Sequence, residues 1–519
     1  MASLEYTIDG KSAEKAYQDM EADRSPYLDR ARQVAKLTLP HILTDRGFKG
    51  ATLPTPYQSV GARGVSSLAS KLLLALFPPS QSFVRLQLPN ELQLAGTISE
   101  GEIQDSMAEI ERIAMSEMEA ASLRPYLHEA LKHLIIAGNV LLYLPIDKRS
   151  KVFHLDRFVI KRDPAGNILA IITKECISPK MLPQEIQLRL AEDQNKNGVA
   201  TQTETVDIFT SIVRSDKDTY HVWQESCGCT LPNTGGTYAA DALPWIPLRM
   251  DPIAGESYAY GYAAAHLGDL ASLEGLMKAL VEASAASARI VFLVNPNATT
   301  KISQLNSAPN GSFVAGLPDD IFPLKVDKAS DMSVAFQAIE RLQQSLGFAF
   351  LLNQSVQRSG ERVTAEEIRF LAQELEDVLA GTYALLSQEL QLRVINVLLD
   401  RLQAMKKIPK LPKGTKPVIV TGIEALGRSH DFAKLQGYMQ MATGLFGPDI
   451  ASQYVNVGEF LKRAGVASGL ITKGLIRSEE EVQQSNAAAQ QQAMMQQVAP
   501  EVVKQVGTGI NQRNAQQNG

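Results

Sequence analysis

The chain has 519 residues, long enough for several domains and at least one large buried core, so a small disulfide-stapled fold is excluded. Hydrophobic residues make up 45% and charged residues 21%, which is typical of globular proteins and excludes a collagen-like or wholly disordered chain. Fifty-one basic and 56 acidic residues give a net charge of −5, so any contact with nucleic acid must be local.

The amino-terminal part is predicted to be helical. One polar helix is expected over residues 12–38, interrupted at Pro26, and an amphipathic helix over 57–77 is closed by two prolines. Two more helices are expected at about 102–120 and 124–138. The last of these should stop at Gly138, because glycine tolerates positive φ.

Beyond Gly138 the hydrophobic period changes to that of β-strands. Six β-branched and aromatic runs, separated by turn signals such as the one at Asp163, predict a meander or small sandwich. The runs begin at Val140, Val152, Phe158, Ile168, Val206 and Tyr220. Residues 1–255 are therefore interpreted as one α+β domain.

A long helix with an alanine-rich distal half is predicted from Tyr258 to Arg289. At ~1.5 Å per residue it would run on the order of 45–50 Å, too long for one small domain to cover. We expect it to pack against copies of itself or a second long helix. Residues 290–327 predict a compact β insertion, and a second helix over 330–352 completes a stalk with a β tip.

A polar segment, residues 353–363, separates the stalk from the next helix. Thr364 and Glu367 form a capping box, after which a helix of about forty residues should run to Met405, with Gly381 softening its middle. Residues 418–423 predict a strand that returns to the first domain. Residues 424–485 predict short helices split by glycines, among them Gly444 and Gly447. From Val482 the Gln-rich tail is expected to be disordered or helical only when assembled.

Metal sites are not supported by residue spacing. His128 and His133 are five residues apart, which rotates them off one helical face, so a polar helix face is the preferred interpretation. Cys227 and Cys229, with His221 nearby, lack a second pair to complete a tetrahedral site and are interpreted as turn residues. The acidic pairs are interpreted as solvated charge: Glu366 with Glu367, and Glu374 with Glu376.

Nucleophile and nucleotide motifs are also missing from the sequence. The segment that begins at Gly255 is one glycine short of a nucleophile elbow, and no stretch has the spacing of a phosphate-binding P-loop. The chain is therefore predicted not to be an enzyme and to need no cofactor. Three cysteines, no signal peptide and no bilayer-length apolar run favour the cytoplasm and no membrane contact.

Four long strings together are more specific than these short motifs. They are PTPYQSVGARGVSSLASKLLLALFPP from Pro54, HLIIAGNVLLYLP from His133, IPLRM from Ile246 with GESYAYGYAAAHLGDLASLE, and VQRSGERVTAEEIRFLAQELEDVLAGTYALLSQELQ from Val356. In this order they resemble the portal, or head-to-tail connector, proteins of T7-like short-tailed phages. The resemblance spans about residues 30–430 and weakens beyond.

The resemblance implies a twelve-subunit ring at one capsid vertex, through which double-stranded genomic DNA is packaged and ejected. It implies an α+β, mainly helical portal fold in a virion protein assembled in the host cytoplasm. Implied partners, besides further copies and DNA, are the major capsid and scaffolding proteins, the terminase motor, the tail adaptor and internal core proteins. Its implied regions are wing, 1–255; stem helices, 256–290 and 328–352; clip, 291–327; tunnel loop, 353–363; wing long helix and return strand, 364–424; crown, 425–485; and tail, 486–519.

The tunnel loop carries the candidate DNA-contacting residues Gln357, Arg358 and Arg362. A channel for DNA of any sequence should avoid base readout and a dense basic lining, because many phosphate contacts would trap the polymer. One girdle of arginines, repeated in every subunit, would grip the duplex without stopping it. The arginines are alternatively expected to pair with Glu361, Glu366 or a neighbouring subunit's carboxylates.

Two other functions remain open at this point. Another head-tail ring or adaptor component should lack the series of long helix, β tip, long helix, loop and long helix that this sequence carries. A more remote alternative is a metal nuclease that acts on DNA, which magnesium-dependent cleavage by the purified protein would reveal.

Overall fold

A computed structural model of the protein shows a mixed, mainly helical α+β chain. The chain divides into two compact units, Met1–Phe83 with Ala114–Lys410 and Val84–Ile113 with Leu411–Gly519. The structure describes residues 11–44, 53–79, 83–87, 100–145, 149–184, 187, 205–216, 219–287, 292–297, 301, 303, 306–315, 317, 320–323, 329–352, 365–379, 381–411, 416–419, 426–447, 455, 458, 460–461 and 464–465.

The described helices are distributed along the chain from Ala13 to Phe446. They are α1 (Ala13–Leu37), α2 (Val60–Leu76), α3 (Glu100–Ala120), α4 (Leu123–Ala137), α5 (Leu267–Ser287), α6 (Ala329–Ala349), α7 (Ala365–Leu379), α8 (Gly381–Leu386), a π-helical turn (Ser387–Leu392), α9 (Arg393–Ala404) and α10 (Leu426–Phe446). Among them the helices predicted near residues 57–77, 102–120 and 124–138 are confirmed.

The strands lie mostly between α4 and α5. They are β1 (Val84–Gln87), β2 (Asn139–Tyr143), β3 (Lys151–Phe153), β4 (Phe158–Arg162), β5 (Ile168–Ile177), β6 (Val206–Asp216), β7 (Thr219–Ser226), β8 (Cys229–Thr230), β9 (Gly236–Ala239), β10 (Trp245–Arg249), β11 (Asp251–Pro252), β12 (Ala259–Tyr260), β13 (Phe292–Val294), β14 (Ile321–Pro323) and β15 (Lys416–Ile419). All six predicted β-runs contain a strand.

The largest sheet is an antiparallel meander, as predicted. Its strand order is β4-β5-β6-β7-β8, and β9 pairs with β7. One sheet face packs on the start of α1, where Ala13 and Tyr17 meet Ile172, Phe209 and Trp223 in a buried cluster. The alternating apolar residues of the strands form this face because successive side chains point to opposite sides of a sheet.

Helix α1 corrects the prediction that Pro26 interrupts the first helix, because it continues from Ala13 to Leu37 with Pro26 inside. A proline removes one backbone hydrogen bond, here to the carbonyl of the exposed Ala22, which water can hydrate. Tyr27 and Leu28, buried immediately after the proline, hold the helix against the core.

A second, three-stranded sheet with the order β10-β2-β3 follows α4 directly. Gly138 ends α4 in the left-handed conformation, with φ of +73°, as its sequence predicted. Its amide donates to the Leu134 carbonyl at 2.9 Å, and its own carbonyl accepts from Met250 at 2.9 Å. Strand β2 therefore leaves the helix already paired beside β10.

Helix α5 is shorter than the sequence predicted, because residues 258–266 are not part of it. Ala259–Tyr260 form strand β12 and Tyr262–Ala264 a 3-10 turn, so the helix begins at Leu267. Its 21 residues give a length of about 30 Å at ~1.5 Å per residue, not 45–50 Å. After α5, β13 pairs antiparallel with β14, as expected for a β insertion.

The predicted forty-residue helix is not one regular α-helix. The described residues form α7, α8, the π-helical turn and α9 in succession. The π turn buries Gln391 completely, and its side-chain amide donates to the Leu76 carbonyl near the end of α2. Residue 380, between α7 and α8, lies outside the described residues, so the softening at Gly381 stays a prediction.

In the second unit, β15 pairs antiparallel with β1, which confirms a strand at the start of the predicted 418–423 run. The Leu86 amide donates to Glu111 Oε1 at 2.9 Å, which ties β1 to α3. Helix α10 runs through Gly444 and ends before Gly447, whose φ is +80°, so of these two glycines Gly447 acts as the stop. The predicted Gln-rich tail lies outside the described residues.

Candidate functional site

Helices α5 and α6 pack against each other, yet the single chain leaves much of their surface open. Leu270 and Leu273 near the start of α5 are fully buried. From Glu274 to Ala286, all of which the structure describes, no side chain is buried. This stretch includes apolar residues such as Met277, Leu280 and Val281. The distal half of α5 is therefore at most partly covered by its own chain.

Helix α6 also combines buried apolar residues with large exposed ones. Ile339 and Leu346 are buried, whereas Val334, Phe336 and Phe348 are 67%, 53% and 69% exposed. Scattered exposed apolar residues are ordinary, but a helix pair with several large ones marks an interaction surface. We call the exposed apolar residues of these two helices, Val281, Val334, Phe336 and Phe348, the apolar stem face.

The carboxyl end of α6 is held firmly. Phe350 is fully buried against Gly64 of α2, where an added Cβ would lie 2.6 Å from the phenyl ring. The Tyr262 hydroxyl donates to the Ala349 carbonyl at 2.8 Å. Leu351 takes the left-handed conformation, with φ of +55°, directly before the segment that carries the predicted tunnel loop. The carboxyl end of α6, the base from which that segment starts, is therefore fixed by contacts with Gly64 and Tyr262.

Lys71 and Glu374 link this base to α7. The Lys71 ammonium donates to the Leu351 carbonyl at 2.8 Å. Burial lowers the Lys71 pKa, and the nearby Glu374 carboxylate partly offsets that effect. Both Glu374 carboxylate oxygens are buried without a hydrogen-bond partner in the described part of the chain. Interpreting Glu374 as solvated charge was wrong, because α2 packs against α7 and covers it.

Two strings that carry the family resemblance meet at the end of α4. The Asn139 side chain donates to the Ala259 carbonyl at 2.7 Å and accepts from the Ala259 amide at 3.0 Å. Gly138 and Gly261 let the two backbones touch, since a Cβ on Gly138 would lie 2.2 Å from the Tyr260 carbonyl carbon. This junction positions the segment that leads into α5.

The predicted DNA-contacting residues Gln357, Arg358 and Arg362 lie outside the described residues, as does Thr364 of the predicted capping box. Their assignment stays a prediction. The structure describes the ends that flank them, at Leu352 and at the start of α7.

His133 corrects the interpretation of a polar helix face, because it is buried in the core. Its ring stacks on that of His154 with centroids 6.0 Å apart, and His154 contacts Asp156. Burial lowers the His133 pKa from 6.5 to about 3, assisted by His154 and His41 and opposed by Asp156. The neighbours Leu134, Ile135 and Ile136 are buried too, so the last turn of α4 is enclosed on nearly all sides.

This histidine should make the protein acid-sensitive. Between pH 6.5 and about 3 the unfolded chain binds a proton at His133 and the folded chain does not, so the free energy of unfolding falls as pH decreases. The expected loss is roughly 1 to 2 kcal/mol per pH unit below pH 6. Urea unfolding of the wild type and His133→Leu from pH 7 to pH 5 measures it. Equal slopes in both proteins would contradict the assignment.

The other candidate residues have structural roles in the described chain. Cys227 occupies the β7–β8 turn with φ of +51°, which confirms the turn interpretation, and Cys229 begins β8. Ser257, beside Gly255, accepts the Arg162 amide at 3.0 Å. The described residues contain no cluster of three or more potential metal ligands, and no described helix is long and apolar enough to span a bilayer.

Comparison with known proteins agrees with the resemblance. The profile of the family described as "Bacteriophage head to tail connecting protein" matches residues 10–476. The chain is 40% identical to the portal protein of Escherichia phage T7 over 484 residues, covering 91% of this chain and 89% of that one. It is 39% identical to the portal protein of Enterobacteria phage T3, covering 93% and 91%.

A more remote likeness is to a solved structure, the neck of a native GTA particle computed with C12 symmetry. It covers 79% of this chain and 89% of that one at 12% identity, with a TM-score of 0.34, a level that carries no argument. The sequence matches are sufficient, since the family profile extends over most of the chain. The chain belongs to the bacteriophage head-to-tail connecting proteins, the portal proteins of T7-like phages.

Proposed function

We propose that the protein forms a ring at one capsid vertex of the virion and that the ring encloses the channel for double-stranded DNA. The observation that carries this proposal is the apolar stem face of α5 and α6. Burying a large apolar side chain stabilises an interface by about 1.5–3 kcal/mol. An isolated chain leaves that stabilisation unused.

A ring uses such a surface efficiently. In a closed cyclic assembly every subunit offers the same two faces, and each face meets a neighbour. The distal half of α5 is rich in small residues, including Ala279, Ala283 and Ala286, which let helices approach closely. Helix pairs from successive subunits would therefore line a bore, twelve pairs if the family's subunit number holds.

The family resemblance implies the regional assignments, and this arrangement is consistent with them. Residues 256–290 and 328–352 would form the stem, 291–327 the clip, and 1–255 with 364–424 the wing. Phe313, fully exposed in the clip region, and Leu317, 62% exposed, offer apolar contacts for a partner. The clip would dock the terminase motor during packaging and the tail adaptor afterwards. The crown, 425–485, and tail, 486–519, would face capsid, scaffolding and internal core proteins, with assembly in the host cytoplasm.

The tunnel loop, residues 353–363, would contact the passing duplex. Gln357, Arg358 and Arg362 supply side chains that hydrogen-bond to phosphates, and repetition around a ring turns two arginines into a girdle. The described flanks support this placement. Lys71 holds the Leu351 carbonyl before the loop, and α7 starts just after it.

Replacing Arg358 and Arg362 together by alanine should leave ring assembly intact and impair DNA packaging or retention. Loss of several phosphate contacts per ring lowers affinity for the duplex steeply at low salt. The measurement is the packaged DNA per particle in a complementation assay, beside the ring fraction of the purified variant. Normal packaging and retention would refute the DNA-contact role, and failure of the ring would favour pairing between subunits.

A head-tail adaptor is the second candidate. The order of α5, the β13–β14 pair, α6 and α7 to α9 favours a portal over it, because this is the stem, clip and wing series expected of one. A nuclease is not favoured by any described site.

A further inference from the structure

Three arginines from separate elements converge beside the π-helical turn. Arg162 ends β4, Arg249 ends β10, and Arg393 begins α9. Arg162 Nη1 donates to the Gly166 carbonyl at 3.0 Å, and a Cβ on Gly166 would lie 3.4 Å from Arg249 Nη2. Both guanidinium groups therefore meet at the β4–β5 turn. We call Arg162, Arg249 and Arg393 the arginine cluster.

The backbone holds these side chains in place but leaves donors unused. Arg162 Nη2 donates to the Pro247 carbonyl at 3.2 Å. Arg393 Nη1 donates to the Ala240 carbonyl over a longer distance, 3.5 Å. The Nε–H groups of Arg162 and Arg249 are buried and have no hydrogen-bond partner among the described residues. A buried donor without a partner costs about 1–3 kcal/mol.

The cluster has more positive than negative charge. Glu389, in the π turn, forms an ion pair with it, and its Oε1 lies 3.9 Å from Arg249 Nη2. Asp163 is occupied by Asn167, whose amide and side chain donate to it at 2.7 and 2.9 Å. Burial and the charges of Arg249 and Arg393 lower the Arg162 pKa to about 10, against the effect of Glu389. Among the described residues, the ion pair with Glu389 is thus set against three guanidinium groups.

Solvent reaches the cluster. The Arg249 and Glu389 side chains keep 11% and 27% of their surface exposed, and Arg162 and Arg393 are half-buried. A π turn inside a helix frequently marks a functional position, and this one places Glu389 and Arg393 side by side.

We propose that the arginine cluster binds one oxyanion, a phosphate or carboxylate group, that the isolated chain does not supply. Planar guanidinium groups bind two-oxygen anions through paired, charge-assisted hydrogen bonds, and the unused donors match that need. The oxyanion comes either from solution or from a carboxylate of a second copy of this chain. The second source rests on the proposed ring, whereas the first does not.

The probe is inorganic phosphate, titrated calorimetrically into full-length protein in chloride buffer of constant ionic strength. Arg393→Gln is the principal variant, because its single long backbone contact makes misfolding the least expected outcome. Arg63→Gln, an exposed arginine of α2, is the matched control. We expect saturable phosphate binding that Arg393→Gln weakens about tenfold or more and Arg63→Gln leaves unchanged.

The same titration on assembled and on unassembled protein identifies the source of the oxyanion. Phosphate bound by both indicates a free anion. Phosphate bound only by unassembled chains, with rings of Arg393→Gln dissociating at lower salt than wild-type rings, indicates a neighbour's carboxylate. If unassembled wild-type chains bind no phosphate and Arg393→Gln leaves ring dissociation unchanged, the proposal is overturned. Neither result depends on DNA passage, so a failure here is separate from a failure of the channel.

Discussion

Replacing Gly138 by alanine is expected to be the most destabilising small change in the main unit. The residue has φ of +73°, and its new Cβ would lie 2.2 Å from the Tyr260 carbonyl carbon and 2.5 Å from the Gly261 nitrogen. The obstacles are backbone atoms, which cannot rotate away. Left-handed strain and overpacking together should cost roughly 3 kcal/mol or more. Urea unfolding at neutral pH measures the loss.

Gly228 provides the matched control. Its φ is +72°, almost the same, but nothing lies within 4 Å of an added Cβ. Gly228→Ala should therefore cost only the backbone strain, about 1–2 kcal/mol. Equal losses in the two variants would mean that the close approach of α4 to the segment leading into α5 contributes nothing.

Introducing charge on the apolar stem face is expected to abolish assembly without unfolding the chain. Val334 and Phe336 are 67% and 53% exposed in the single chain, so Val334→Glu with Phe336→Glu removes little internal packing. In a ring the two carboxylates would be buried at every interface without partners, at a cost of several kcal/mol each. Sedimentation velocity should show a shift from a large particle to subunits, with unchanged circular dichroism.

The control places two charges at exposed positions of α1, Gln18→Glu with Ala22→Glu. This variant should sediment like the wild type, because it adds the same charge outside the apolar stem face. Normal rings from the α6 double variant would show that this surface is not an assembly interface.

The sequence predicted most elements because they follow simple periods. The alternating runs became the meander, and Gly138 ended α4 as its conformational freedom indicates. The interruption predicted at Pro26 was wrong, because one lost hydrogen bond at an exposed carbonyl is outweighed by the buried residues next to the proline. The start of α5 was misplaced because the apolar residues near Tyr258 serve a strand and a turn, which periodicity alone does not separate from a helix.

The sequence did not predict which distant segments come into contact. Arg24 is fully buried and donates to Tyr17, Glu21, Leu155 and Phe158, although arginine is ordinarily a surface residue. His133 and Glu374 were likewise assigned to exposed faces. His133 is instead buried in the core, and Glu374 is covered by α2. Such burial depends on which helices meet, and single-residue patterns do not carry that information.

Function was predictable at the level of the family and not at the level of single residues. Long strings at several separated places carried the resemblance, and the family profile confirms it. Portal proteins are structural proteins, so the prediction that the chain is not an enzyme is confirmed as well. The arginine cluster had no sequence signal, because its members are separated by 87 and 144 positions and meet only in the fold.

Electron microscopy of the purified full-length protein tests the central claim most directly. Class averages viewed down the symmetry axis should show a closed ring with a central opening wide enough for double-stranded DNA, and side views should show a narrow stem built from the α5–α6 pairs. Particles that remain single subunits at high concentration, or closed particles without such an opening, would contradict the account.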